Sequence, residues 1–178
     1  SEIEKYARQF RTAGHTLVAE LAEADLVVLN TCAVTSAAEA DSRQKIRQAG
    51  RGGTRQVAVT GCWSTLYPAQ AAALPGVRWV TPNLEKDQLV AQALGLPASH
   101  FDRELLEREP IPGLRMRTRA FIKAQDGCDN RCAFCLTTLA RGRSRSLPTA
   151  AVCQDVQAAH GGGAQEAVLT GVHLGSWG

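Results

Sequence analysis

Directly after a strand-like segment at residues 119–125, the chain carries the stretch Cys128-Asp129-Asn130-Arg131-Cys132-Ala133-Phe134-Cys135. Three cysteines at C-x3-C-x2-C spacing can converge on one metal centre without ligands from distant parts of the chain. Three thiolates are one short of the four that usually hold a four-iron cluster. One iron would then stay open to a non-protein ligand, and an open position distinguishes a metal site that does chemistry from one that only holds a fold.

The residues around this cysteine loop have the order strand, loop, helix, strand. A helix is predicted from about residue 149 to residue 160, and Glu166-Ala167-Val168-Leu169-Thr170 is predicted to be the next strand. This order is that of the first part of a β/α barrel, and the sequence stops well short of a closed one.

Residues 1–95 alternate short apolar segments with helical patterns, which favours a parallel sheet with helices on both faces. Strands are predicted at 15–18, 25–30, 56–60 and 77–80, and helices at 1–10, 36–48, 67–74 and 84–94. Ser1 is predicted to cap the first helix. Residues 96–117, with several prolines and mixed charges, are predicted to be a linker, so the domains are 1–95 and 118–178.

Two further cysteines stand where such sheets place function, just past the carboxyl ends of strands. Cys32 follows the strand ending near Thr31, and Cys62 follows the one ending near Gly61. A free cysteine is also common as a small buried residue, so a ligand role and a core role both stay open. Cys153, inside the predicted helix at 149–160, is predicted to be core.

Composition narrows the class of protein. The chain has 178 residues, six cysteines and a net charge of +3, which permits a nucleic-acid partner without requiring one. Without a secretory signal, these cysteines are expected to be reduced thiols in a cytoplasm. Structural zinc is the alternative for the triplet, but zinc usually takes a fourth ligand from a second cysteine or histidine pair, and the sequence has none at suitable spacing. No apolar run approaches the length of a membrane span.

Four motifs together resemble the methylthiotransferase family of radical S-adenosyl-L-methionine enzymes. They lie at 30–35, 60–62, 127–135 and 169–175. The resemblance implies an α/β chain: a flavodoxin-like N-terminal domain with a parallel sheet, followed by the first part of a radical SAM β/α barrel. Because the family's first strand and first cysteine would lie upstream of Ser1, the chain is expected to be a fragment that is inactive alone.

The resemblance also implies the site residues and cofactors. Cys128, Cys132 and Cys135 would hold the [4Fe-4S] cluster that binds S-adenosyl-L-methionine. Cys32 and Cys62 would be two ligands of an auxiliary [4Fe-4S] cluster. Phe134 would flank the adenine of the cofactor, with packing inside the loop as the alternative.

Within the family, residues 30–35 and 140–146 look most like the branch that adds a 2-methylthio group to N6-threonylcarbamoyladenosine beside the anticodon of tRNA. The implied partners are tRNA and an electron donor protein such as flavodoxin or ferredoxin, in the cytoplasm, with neither DNA nor a membrane. Arginines near the loop (Arg131, Arg141, Arg143 and Arg145) are either a solvated face or a surface for RNA phosphates. Isopentenyladenosine in tRNA, an aspartate of a ribosomal protein, or a non-catalytic metal-binding fragment are the alternatives.

Overall fold

The computed structural model describes residues 2–51, 55–101, 111–112 and 118–178. Its first part is a three-stranded parallel sheet in the order β1-β2-β3, formed by β1 (Leu26–Thr31), β2 (Gln56–Gly61) and β3 (Val77–Val80). The three strands confirm the predictions at 25–30, 56–60 and 77–80. An α/β architecture with this sheet is consistent with a flavodoxin-like domain.

Helices cover both faces of the sheet, as a parallel sheet requires. They are α1 (Glu2–Thr12), α2 (Ser36–Gly50), α3 (Cys62–Leu66), α4 (Pro68–Ala72) and α5 (Leu89–Leu94). Successive residues of β2 point to opposite faces. Ala58 therefore packs with Tyr6 and Phe10 in one core, while its neighbour Val57 packs with Ile46 in the other.

Helix boundaries follow the sequence closely in two cases. The polar helix predicted at 36–48 is α2, and the Thr35 side chain caps it by accepting a hydrogen bond from the Ala38 N–H at 3.1 Å. The first predicted helix is α1, whereas its predicted cap, Ser1, lies outside the described residues.

Two predicted helices are different in the structure. The helix predicted at 67–74 is the shorter α4, and the sequence did not predict α3, which precedes it. Proline lacks an N–H and fits only the first turn of a helix, so Pro68 begins a new helix after α3. The helix predicted at 84–94 is a 3₁₀ turn, Lys86–Gln88, followed by the shorter α5.

The strand predicted at 15–18 is wrong. Residues 15–18 have no regular structure, and among the described residues β1 has one strand neighbour, β2. Leu17 and Val18 instead line a cavity of about 970 Å³ together with Val28 of β1. A strand forms only through hydrogen bonds to a neighbour, and the described residues offer this segment none.

The second part contains β4 (Arg119–Lys123), α7 (Thr149–Gly161) and β7 (Glu166–Thr170). β4 and β7 pair in parallel from Arg119↔Glu166 to Lys123↔Thr170, which confirms the strand–helix–strand order. The cysteine loop, α6 (Thr137–Arg141) and an antiparallel pair of short strands, β5 (Gln125–Asp126) and β6 (Arg145–Ser146), lie between β4 and α7. Among the described helices, none combines the length and apolar character needed to cross a membrane.

Most of the predicted linker at 96–117 lies outside the described residues. Its first residues form a 3₁₀ turn, Ala98–Phe101, in which Phe101 is buried in the same core as Tyr6 and Leu89. The two parts of the chain touch directly, where α3 packs against α6.

Candidate metal centre

Cys32 and Cys62 lie at the same edge of the sheet, as their positions in the sequence predict. β1 and β2 pair in register from Leu26↔Gln56 to Thr31↔Gly61, so the residues that follow the two strands begin side by side. Thr31 joins the strands by donating its hydroxyl hydrogen bond to the Thr60 carbonyl at 2.6 Å. Cys32 is exposed and Cys62 is half-buried. Cys32 is thus not a core residue, whereas Cys62 packs at the margin of the core that contains Val59 and Trp63.

Cys128, Cys132 and Cys135 lie on an irregular loop attached to the start of the second part. Cys128 is buried, whereas Cys132 and Cys135 are exposed, and all three are free thiols. The loop is tied to α6, because the Thr138 hydroxyl bonds the Cys128 carbonyl at 3.2 Å. In the described ranges, no three histidine, cysteine, aspartate or glutamate side chains are grouped closely enough to hold a metal ion.

The electrostatics of the loop favour a thiolate at one position. Hydrogen bonds from the Thr137 hydroxyl and from the Thr137 N–H, which lies 3.4 Å from the sulfur, lower the pKa of the Cys135 thiol. A thiolate, and not a thiol, is the form that ligates metals. The donor chemistry of the loop therefore fits an iron–sulfur cluster: three free thiols on one short segment, with one of them predisposed to ionise.

Phe134 is 96% exposed, so it does not pack inside the loop. A fully exposed phenylalanine between two candidate ligands is a surface on which a planar ring could stack. Its role toward adenine stays a prediction.

The arginines near the loop do not form one uniform surface. Arg143 is 91% exposed in its side chain and lies 3.5 Å from Asp129, and Arg131 is exposed as well. Arg141 is different, because its guanidinium donates to Asp126 at 2.9 Å and is only partly exposed. The surface left for phosphate contacts is thus smaller than the sequence indicates.

An ionic cluster beside the cysteines was not predicted from the sequence. The Lys86 ammonium and the Asp126 carboxylate are almost fully buried and lie 2.9 Å apart. Burial by itself raises the pKa of Asp126. Hydrogen bonds from Lys86 and Arg141 lower this pKa by more than burial raises it, so it lies well below its usual range. A signal was present in the sequence, since Asp126 is an acid at the end of an apolar strand and directly before Gly127-Cys128.

Residues 1–81 match the family model described as Uncharacterized protein family UPF0004. The Bacillus subtilis threonylcarbamoyladenosine tRNA methylthiotransferase MtaB is 34% identical over 187 residues, covering 99% of this chain and 42% of the relative. The Chlamydia pneumoniae MtaB is 32% identical, covering 99% and 41%. The Chloroflexus aurantiacus ribosomal protein uS12 methylthiotransferase RimO is 31% identical, covering 94% and 42%.

The chain belongs to the methylthiotransferase family, and it resembles the MtaB relatives along almost its whole length. It spans less than half the length of these relatives.

Proposed function

We propose that this chain supplies the metal-binding part of a radical SAM methylthiotransferase that adds a 2-methylthio group to N6-threonylcarbamoyladenosine next to the anticodon of tRNA. The observation that carries the proposal is the position of the two cysteine sets. Cys62 lies at the sheet edge, and the Asn83 amide is 3.6 Å from its sulfur and 2.8 Å from the Ala140 carbonyl. Ala140 belongs to the helix that directly follows the Cys128–Cys135 loop, so the Asn83 side chain joins the sheet edge at Cys62 to the segment that carries the second set.

The proposed roles follow from exposure and chemistry. Cys128, Cys132 and Cys135 would hold a [4Fe-4S] cluster, and Cys32 and Cys62 would be ligands of an auxiliary one. When bound, the first cluster would offer one iron to S-adenosyl-L-methionine and supply the electron for its cleavage. Phe134 would present its exposed ring to the adenine of S-adenosyl-L-methionine and restrict the orientation of that base.

We place residues 1–95 in one domain, 96–117 in a linker and 118–178 in the first part of a radical SAM β/α barrel. The parallel β4–β7 pair with α7 between them supports the barrel, because a strand–helix–strand unit is its repeating element. An electron donor protein such as flavodoxin or ferredoxin would serve the clusters. A tRNA substrate implies that the protein works in the cytoplasm.

The exposed arginines support a nucleic-acid substrate. Between Asn130 and Gln154 the chain has no acidic residue, and the guanidinium of Arg143 is almost fully exposed. Such a surface attracts phosphates with a strength that falls as salt rises. The RimO relative keeps a ribosomal protein aspartate as the second candidate substrate.

Iron content tests the metal site. We expect the full gene product, reconstituted anaerobically with iron and sulfide, to lose about four irons on Cys128→Ser, because one cluster of that size can no longer close. Cys153→Ser is the matched control, since Cys153 is an exposed free thiol on α7 outside both sets, and it should lose none. Bound zinc in place of iron, or equal iron in both variants, would refute the proposed cluster.

The substrate is tested by mass spectrometry of tRNA nucleosides from a strain in which the gene is deleted. The 2-methylthio derivative of N6-threonylcarbamoyladenosine should disappear and return on complementation. Unchanged tRNA together with an unmodified aspartate in the small ribosomal subunit would favour the second candidate instead. No change in either would indicate a metal-binding protein without this activity.

A further inference from the structure

The strongest unassigned feature is a buried ionic cluster where the two parts of the chain meet. Lys86, in the 3₁₀ turn before α5, has a side chain only 5% exposed, and Asp126, in β5, has one only 8% exposed. Glu2 of α1 also contacts Lys86, and Lys123 lies 3.2 Å from Glu2. The charges alternate, so each carboxylate faces at least two cations.

Stability alone does not explain such a cluster. Removing two charges from water costs free energy that their attraction often only just returns, whereas removing one partner leaves an uncompensated buried charge. Buried ion pairs therefore add little to net stability, and their attraction offsets the cost of burial only when the geometry of the pair is good. In several proteins their use is to select one arrangement over its competitors.

One side of the cluster reaches the cysteine loop. Asp126 Oδ1 accepts hydrogen bonds from the Gly127 N–H and from the Arg141 guanidinium, both at 2.9 Å. Asp126 Oδ2 accepts from Lys86 at 2.9 Å. Gly127 has φ +72, and a Cβ there would lie 2.0 Å from the Arg143 carbonyl oxygen. The carboxylate therefore fixes the residue that precedes Cys128 against the end of α6.

The other side reaches Cys62. Asn83 is almost fully buried, and its amide group lies 3.6 Å from the Cys62 sulfur while donating to the Ala140 carbonyl at 2.8 Å. The Asn83 N–H is itself held by the Thr65 hydroxyl at 2.9 Å. Arg141, the residue after Ala140 in α6, is the one paired with Asp126. A connected path thus runs from Cys62 through Asn83 to Ala140 and, by way of the adjacent Arg141, through Asp126 to Gly127.

We propose that Asp126 is a positioning residue, which together with Lys86, Arg141 and Asn83 holds the loop of Cys128 at a fixed place relative to Cys62. This inference deepens the proposed function and rests on it, because a fixed separation matters when each cysteine set carries a metal centre. Hydrogen bonds with a charged partner are short and strong, which suits them to hold two units that share no sheet among the described residues.

The first test uses hydrogen exchange of the metal-free full gene product, so its outcome does not depend on cluster binding. Asp126→Asn keeps the size and the acceptor for Gly127 but removes the charge that Lys86 and Arg141 require. We expect the amides of 127–128 and of 83–88 to exchange about tenfold faster or more, with β2 and β4 unchanged. Asp41→Asn is the matched control, since Asp41 pairs with Lys45 at 2.8 Å on the exposed face of α2, and it should change neither segment.

Two results would overturn the proposal. One is unchanged exchange at both segments, and the other is an equal acceleration through β2 and β4, which would mean that Asp126 only supports the fold. If Asp126→Asn does not fold, Arg141→Gln serves as the second variant, because it leaves the Lys86–Asp126 pair intact. It should accelerate exchange at 127–128 but not at 86–88, and failure to do so would equally refute the proposal.

A spectroscopic readout links the positioning role to the metal centres. In the reconstituted protein, Asp126→Asn should retain its iron but change the magnetic interaction between the two reduced clusters, which depends on their separation. An unchanged interaction would contradict the inference. Absence of iron in the unsubstituted protein would instead refute the proposed function, while the exchange experiment would still decide whether Asp126 positions the loop.

Discussion

Adding one methyl group at Gly61, the residue before Cys62, tests how closely β1 and β2 approach each other at this edge of the sheet. Its backbone has φ +99 and ψ −174, a region that is essentially limited to glycine. A Cβ added here would lie 2.2 Å from the Thr31 carbonyl oxygen and 2.5 Å from the Thr31 nitrogen. Gly61→Ala therefore meets both backbone strain and a collision with the neighbouring strand.

The two effects can be estimated separately. Backbone strain of this kind costs about 1–3 kcal/mol, and overpacking typically costs about 1–3 kcal/mol, so the sum is roughly 2–6 kcal/mol. We expect the upper half of that range, because the colliding atoms belong to the backbone of β1 and cannot rotate away. Gly95→Ala is the matched control: Gly95 has φ +66 and nothing within 4 Å of an added Cβ, so it should cost only about 1–2 kcal/mol.

Urea unfolding followed by circular dichroism and by tryptophan fluorescence measures both costs. Trp63 is fully buried directly after Cys62, so its fluorescence reports on this edge of the sheet. The urea concentration at the unfolding midpoint should fall much further for Gly61→Ala than for Gly95→Ala. The slope of the unfolding free energy against urea should be similar in both variants. Equal midpoints for the two variants would show that β1 and β2 do not approach each other as closely as the structure has them.

Two further predictions concern charge. For Glu2, burial raises the pKa, but hydrogen bonds from Lys86 and the charges of Lys86 and Lys123 lower it below its ordinary value. The unfolded state then binds more protons, so the stabilisation is complete above the unfolded pKa of about 4.3 and is lost as pH falls through the folded value. The difference in unfolding free energy between the unsubstituted protein and Glu2→Gln, from urea melts between neutral and acid pH, should therefore shrink toward acid pH; a constant difference would contradict this. For Cys135, Thr137→Val removes the hydroxyl that lowers the thiol pKa, so alkylation of Cys135 at neutral pH should become slower in the metal-free protein. Cys153 is the internal control and should keep its alkylation rate. An unchanged rate at Cys135 would contradict the hydrogen bond from the Thr137 hydroxyl.

The sheet and the position of two candidate ligands could be predicted from local sequence. β1 and β2 are short apolar segments because both faces of a parallel sheet are covered, and this pattern is visible without knowing the partner strand. The parallel arrangement then puts Cys32 and Cys62 at one edge. The segment at 15–18 has a similar apolar character, but a strand also needs a neighbour, and no local pattern contains that information.

Cys153 shows the limit of the helical pattern. It was predicted to be core because it adjoins Val152, but it is exposed, while Val152 and Ala159 are buried. Val152 and Ala159 are seven residues apart and share one face of α7, whereas Cys153 is rotated by about 100° from Val152. Cys153 instead lines an open apolar cavity with Leu174 and Trp177.

The contact between the two parts of the chain could not be predicted from the sequence. Lys86 and Asp126 are 40 residues apart, and although the local sequence marks Asp126 as unusual, it does not identify Lys86 as its partner. Their pairing joins the 3₁₀ turn before α5 to β5, and neither segment alone predicts that contact. Arg141 was predicted to lie either on a solvated face or on a surface for RNA phosphates, because its pairing with Asp126 exists only once β5 and α6 are in place.

The two cysteine sets are thus held in place by different kinds of interaction. Backbone hydrogen bonds between β1 and β2 determine how Cys32 stands relative to Cys62, so this relation changes only where a substitution forces the two strands apart, as Gly61→Ala would. No backbone ladder among the described residues joins β2 to β4 or β5, so the relation of Cys62 to Cys128 depends on the side chains of Asn83, Arg141 and Asp126. A change of one methylene in these side chains, as in Asp126→Glu, alters bond lengths that are fixed near 2.9 Å. We therefore expect the separation between the two cysteine sets to change on a single conservative substitution among these side chains.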